Sequence, residues 1–316
     1  MRRITRSSAP FAAIAFMVGA AILALTGCAS STTTAAQPAA TDAGGTITVV
    51  ASTNVYGDIA QQIGGDRVTV RSIISDPAQD PHSYQGDAQV QLALAKAQLV
   101  IVNGGGYDDF VGTLLRGAAD SRATVLNAVS ISGFDQKPAS GTFNEHVWYD
   151  LPTVRKVATQ IAATLGTIDP ASVDRFTANT ATFDAALDTL AGKIAALKAA
   201  HDGDGAAITE PVPLYLLTAA GLVNKTPAAF SKAIEGETDV APDVLRQTLS
   251  LFSTHSVKLL AYNDQTTSPQ TEQVLAAAKS AKIATVPVTE TLPAKTNYVQ
   301  WMAGMITALD TALAAN

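Results

Sequence analysis

The chain has 316 residues, enough for two ordinary domains, and with 47% hydrophobic and 15% charged residues it can bury a large core. Its 21 basic and 27 acidic residues leave a net charge of −6, which argues against a sequence-independent hold on nucleic acid. One cysteine excludes an internal disulfide framework, a multi-cysteine zinc site and an iron–sulfur cluster, and four histidines leave few candidates for any metal site.

Arg2, Arg3 and Arg6 precede an apolar run over residues 11–25, too short to span a bilayer comfortably but suited to the core of a signal peptide. The run ends in Leu25-Thr26-Gly27-Cys28, which resembles a bacterial lipobox. Residues 1–27 therefore read as a signal peptide and Cys28 as a lipid attachment point. Residues 28–45, rich in Ser, Thr, Ala, Pro and Gly, read as a disordered tether to the outer face of the cytoplasmic membrane. Removing residues 1–27 leaves 18 basic against 27 acidic side chains, a net charge of −9.

From Thr46 the pattern alternates strand and helix. Strands are expected at 46–51, 67–74, 98–102 and 123–129, with helices at 55–64, 87–97 and 107–118 between them. Gly104-Gly105-Gly106 lacks the Lys-Ser/Thr of a phosphate loop and reads as a tight strand-to-helix turn. Asp169-Pro170 then opens a helical pattern reaching Ala200, with Phe176, Phe183, Leu187, Leu190, Ile194 and Leu197 on one stripe. A helix of that length is a strut between two lobes, unless it breaks near Gly192. Beyond it, strands are expected at 206–209, 257–262 and 283–288, and helices at 211–221, 242–254, 269–281 and 296–313. The resulting fold class is α/β: two lobes with mainly parallel sheets, residues 46–168 and 202–316, joined by a rigid helix over 169–201.

Ligands of open α/β sheets bind beyond the carboxyl ends of strands. Four metal-ligating side chains stand at or after such ends or in the loops beyond: His82, His146, Glu210 after the 206–209 strand, and Asp264 after the 257–262 strand. Two imidazoles and two carboxylates, two per lobe, suit a divalent transition ion held between the lobes. His201, in a polar turn, and His255, near a helix end, carry no ligand signal.

The motifs together resemble the substrate-binding lipoproteins of bacterial zinc and manganese ABC transporters, from about Thr46 to the C-terminus. The resemblance rests on Asn54-Val55-Tyr56-Gly57-Asp58-Ile59-Ala60 with Gly64-Gly65-Asp66, Asp80-Pro81-His82-Ser83-Tyr84, and Lys96-Ala97-Gln98-Leu99-Val100 followed by Asn103-Gly104. His146-Val147-Trp148-Tyr149-Asp150 and Gln265-Thr266-Thr267-Ser268-Pro269 extend it. It implies His82 and His146 as the first two ligands, Glu210 as the third, where zinc-type members often carry histidine, and an acidic fourth in the loop holding Asp264. It further implies a bound Zn2+ or Mn2+ as cargo, no organic cofactor, a monomer, and a permease and ATPase on separate chains. Residues 130–144 lack the histidine- and acid-rich insertion often seen in zinc-type members. Glutamate in place of histidine hardens the site toward Mn2+ or Fe2+, whereas raw affinity favours zinc.

Two other classes compete. A metal-dependent hydrolase would need an open coordination position, and no His-Glu-x-x-His helix or Gly-x-Ser-x-Gly elbow is present. A protein for an organic, siderophore-type ligand would need a wide aromatic or Arg-lined cleft, yet only 6% of residues are aromatic.

Overall fold

The computed structural model describes residues 45–76, 84–118 and 121–315. The signal peptide, Cys28, most of the tether and His82 lie outside the described residues. The first half is built on β1 (Ile47–Thr53), β2 (Val68–Ile74), β3 (Leu99–Val102) and β4 (Thr124–Asn127), in the order β2-β1-β3-β4 with every pairing parallel. The second is built on β5 (Gly205–Ile208), β6 (Val223–Asn224), β7 (Leu259–Asn263) and β8 (Ala284–Val288), in the order β6-β5-β7-β8, again all parallel. The inner strands β3, β5 and β7 are buried at every residue, as expected where helices cover both faces.

Helices α1 (Asn54–Gly64), α2 (Ala88–Lys96), α3 (Asp109–Gly117), α4 (Ala128–Ser132) and α5 (Leu151–Ile168) belong to the first half. α6 (Val173–His201) follows, entered through a short turn of tight helix over Pro170–Ser172. Its 29 residues run past Gly192 without a break, giving about 44 Å of rod. The stripe that faces inward is the one read from the sequence: Phe176, Phe183, Leu187, Leu190, Ile194 and Leu197 are buried. These side chains join Ile59 and Ile161 of the first half to Leu217, Met302 and Leu309 of the second in one continuous core. The strut is anchored at its start by Arg67, which donates to Asp169 at 2.9 Å, and by Asn179, which donates to the Ile63 carbonyl at 2.8 Å.

The second half carries α7 (Leu214–Ala219), α8 (Ala228–Glu235), α9 (Pro242–Ser253), α10 (Pro269–Ser280) and α11 (Tyr298–Ala314). α7 is shorter than the 211–221 expected, because Pro211 and Pro213 hold the chain in a turn and the helix begins only after the second. β6 and α8 were not expected; a two-residue strand and an eight-residue helix are too short to show a period. α10 and α11 open on reciprocal caps, Ser268 with Thr271 and Asn297 with Gln300. α11, assigned by sequence to the second lobe, bonds back to the first: the Tyr298 N–H donates to Asp58 at 2.7 Å and its hydroxyl to the Trp148 carbonyl at 2.7 Å.

Candidate metal centre

Each sheet reverses its strand order between its two inner strands, β1 and β3 in one and β5 and β7 in the other. At such switch points neighbouring crossovers leave on opposite faces, and a crevice opens beyond the strand ends. The residues leaving those ends here are Asn103 through Tyr107 after β3, Glu210 after β5, and Asn263 at the end of β7.

On the first side, Gly104, Gly105 and Gly106 all take positive φ, which L side chains rarely adopt. A Cβ on Gly104 would also lie 2.2 Å from the Asn127 side chain. Asp108 closes the turn by accepting from the N–H groups of Asn103 at 2.6 Å and Gly104 at 2.8 Å. A carboxylate therefore sits where a phosphate-binding loop would offer free donors. The turn delivers Tyr107 to the site. Its hydroxyl donates to Glu290 Oε2 at 3.0 Å, and burial followed by the charge of Glu290 holds the phenol well above its ordinary pKa, so it stays a donor.

His146 is fully buried, packed against the rings of Tyr107 and Trp148, whose centroids lie 5.9 and 5.0 Å away. Asn144 fixes its tautomer. The Asn144 amide nitrogen donates to the Pro211 carbonyl at 3.0 Å, so its oxygen must accept from His146 Nδ1–H at 2.8 Å. Nε2 is thereby directed at the carboxylates, 3.6 Å from Glu235 and 3.7 Å from Glu290. Metal-binding histidines are commonly oriented in this way, with the second nitrogen anchored. Burial draws the imidazole toward its neutral form, but the surrounding charges, Glu235 first and then Glu290, outweigh it and raise the pKa.

Glu210 is 1% exposed. Its Oε2 accepts from the Asn263 amide at 2.5 Å, while its Oε1 is buried with no hydrogen-bond partner among the described residues. The same Asn263 amide donates to Glu290 Oε1 at 2.9 Å and so spans two carboxylates. Burial, then the charges of Glu290 and Glu235, push the Glu210 carboxyl up to about 8. Gln265 steadies the Glu290 loop, its side-chain amide oxygen accepting from the Glu290 N–H at 2.5 Å. Tyr149 adds a bond from its hydroxyl to the Thr289 carbonyl at 2.8 Å. Side chains of both halves thus converge on one dry cluster of an imidazole and carboxylates, the donor set for a divalent cation.

The structure brings His146 and Glu210 together, but it does not bring Asp264 to them. Backbone pairing continues past β7 through the Asp264 N–H to the Val288 carbonyl, so successive side chains still alternate. With Asn263 buried beside the carboxylates, Asp264 is exposed. The acidic side chains that face His146 Nε2 are Glu290, two residues after β8, at 3.7 Å and Glu235, at the end of α8, at 3.6 Å. The rule that selected Glu210, a carboxylate just past a strand end, selects Glu290 equally well once it is applied to the 283–288 strand. No sequence signal marks Glu235. Of the other histidines, His201 bonds Asp204 at 3.1 Å and His255 is exposed with positive φ.

Comparison with known proteins decides the family. The model of the ZnuA family, described as the periplasmic component A of the zinc-uptake complex, matches residues 49–312. The chain belongs to this family. A manganese-binding lipoprotein, MntA, of Bacillus subtilis is 28% identical over 161 residues, covering 50% of each chain. The manganese ABC transporter substrate-binding lipoprotein PsaA of Streptococcus mitis is 26% identical over 183 residues, 55% of this chain and 57% of its own. The chain thus spans about half the length of the curated relatives it matches. Among solved structures, the periplasmic zinc-binding protein TroA of Treponema pallidum superposes with a TM-score of 0.73 at 16% identity, covering 85% of this chain and 99% of its own. A crystal structure of ZnuA gives 0.69 at 20% identity, covering 84% and 98%. These superpositions show the fold, two α/β lobes with a long connecting helix. The family's description is that of a component of an uptake complex, and nothing in the comparisons supports the hydrolase or siderophore-type readings. No helix among the described residues is long and apolar enough to cross a membrane.

Proposed function

We propose that the chain captures one divalent transition ion, Zn2+ or Mn2+, outside the cytoplasmic membrane and hands it to an ABC permease driven by an ATPase, both on separate chains. One observation carries this reading: His146 Nε2, with its tautomer set by Asn144, faces Glu290 across 3.7 Å, and Glu210 shares a buried amide donor with that same Glu290. A desolvated carboxylate cluster around one imidazole is costly until a cation neutralises it. His82 supplies the second imidazole, and Glu290 takes the fourth place that the sequence reading gave to Asp264. The ligands bind the ion as a neutral imidazole and carboxylates, so capture displaces protons. The protein acts as a monomer, held at the membrane by lipid on Cys28 and the tether that follows. The family's description and the names of the manganese-binding relatives support the same reading.

Calorimetric titration of the metal-stripped mature protein with Mn2+ and Zn2+ tests it. One-to-one binding tighter than about 10 μM, lost in His146→Ala, is expected. Failure of both ions to bind would end the proposal.

A further inference from the structure

Glu235 stands at the last position of α8, where the carbonyl ends of a helix disfavour a negative charge. It is nevertheless aimed inward: Oε1 lies 3.6 Å from His146 Nε2, and the carboxylate is only 16% exposed. Donor atoms of Glu145, His146 and Glu235 all lie within 4.8 Å of one another. Glu235 also faces two carboxylates of its own sign, Glu210 and Glu290, so with Glu145 four acidic side chains surround one imidazole. A second observation points to a ligand independently of this cluster. Glu210 Oε1 is buried and accepts no hydrogen bond among the described residues, an arrangement that native interiors avoid unless a further group completes it.

We propose that Glu235 is a metal-facing carboxylate and a specificity-determining residue of this site, tilting capture toward hard, oxygen-preferring Mn2+ over Zn2+. The inference rests on the metal-capture reading above and deepens it by naming the ion class. Zn2+ is satisfied by four ligands in a tetrahedron, and a further carboxylate adds little to it. Mn2+ favours oxygen donors and higher coordination numbers, so each added carboxylate strengthens its hold. Affinity for hard cations also rises with the number of charged ligands.

The test is competition titration of the mature protein with Mn2+ and with Zn2+, for wild type, Glu235→Gln and Glu235→Asp. Glu235→Gln keeps the size of the side chain and a carbonyl oxygen at its end, but removes the charge. It should lose roughly tenfold or more in Mn2+ affinity while Zn2+ affinity changes by less than about threefold. Glu235→Asp, which restores the charge on a shorter arm, should recover part of the Mn2+ loss. An unchanged Mn2+/Zn2+ ratio in Glu235→Gln, or a ratio moved toward Mn2+, overturns the assignment while leaving the metal-capture reading intact. A wild-type protein that binds neither ion overturns both.

Discussion

Glu210 makes the stability of the metal-free protein depend on pH in an unusual direction. Its carboxyl is pushed from an ordinary 4.5 to about 8, first by burial and then by Glu290 and Glu235. Below 4.5 the carboxyl is protonated in both folded and unfolded chains. Between 4.5 and about 8 the unfolded chain releases its proton while the folded chain keeps it, so stability falls as pH rises; above that window both states are ionised and the curve flattens. The whole loss is on the order of 5 kcal/mol, because each pKa unit is worth about 1.4 kcal/mol. His146, whose pKa is also raised, acts in the same sense: its contribution is present at low pH and lost as pH rises through its folded value. Urea unfolding of metal-stripped wild type and Glu210→Gln from pH 5 to 8.5 isolates the Glu210 share. The variant should lack that share of the slope and be the more stable of the two at pH 8.5. With saturating Mn2+ or Zn2+ the order should reverse, since only the wild type gains the full binding energy. A wild-type stability that is flat or rises from pH 5 to 8, relative to the variant, would refute the reasoning.

Two further substitutions divide the roles inside the cluster. Glu290→Ala should weaken metal binding by about a hundredfold, whereas Asp264→Ala, exposed beyond β7, should change it by less than about twofold, both read by titration. Tyr107→Phe removes the donor to Glu290 Oε2 without removing the ring that packs on Trp148, so affinity should fall roughly tenfold while the melting temperature of the metal-free protein moves little.

The elements that could be read from sequence are those with a period long enough to declare itself. α6 shows this best: six apolar residues over about six turns fix both its length and its buried stripe. The inner strands β3, β5 and β7 were equally plain as short unbroken apolar runs between turns. The shortest elements that escaped had no period to show. α8 is eight residues long and β6 two, and with α8 went Glu235. The exposure of Asp264 escaped for a different reason. Asp264 and Asn263 are neighbours, and only the pleat decides which of them turns inward; the residue types favoured Asp, while the register at β7 favours Asn. Tyr107 was passed over because its value lies in a glycine turn whose direction becomes visible only in three dimensions.

The central claim is that a divalent ion is held by His146, Glu210 and Glu290 between the two halves of the chain. Anomalous scattering from crystals grown with Mn2+ or Zn2+ measures this directly. The account predicts one strong peak within about 2.0–2.3 Å of His146 Nε2 and of oxygens from Glu210 and Glu290. A peak centred on Asp264, or on surface carboxylates away from His146, would contradict it.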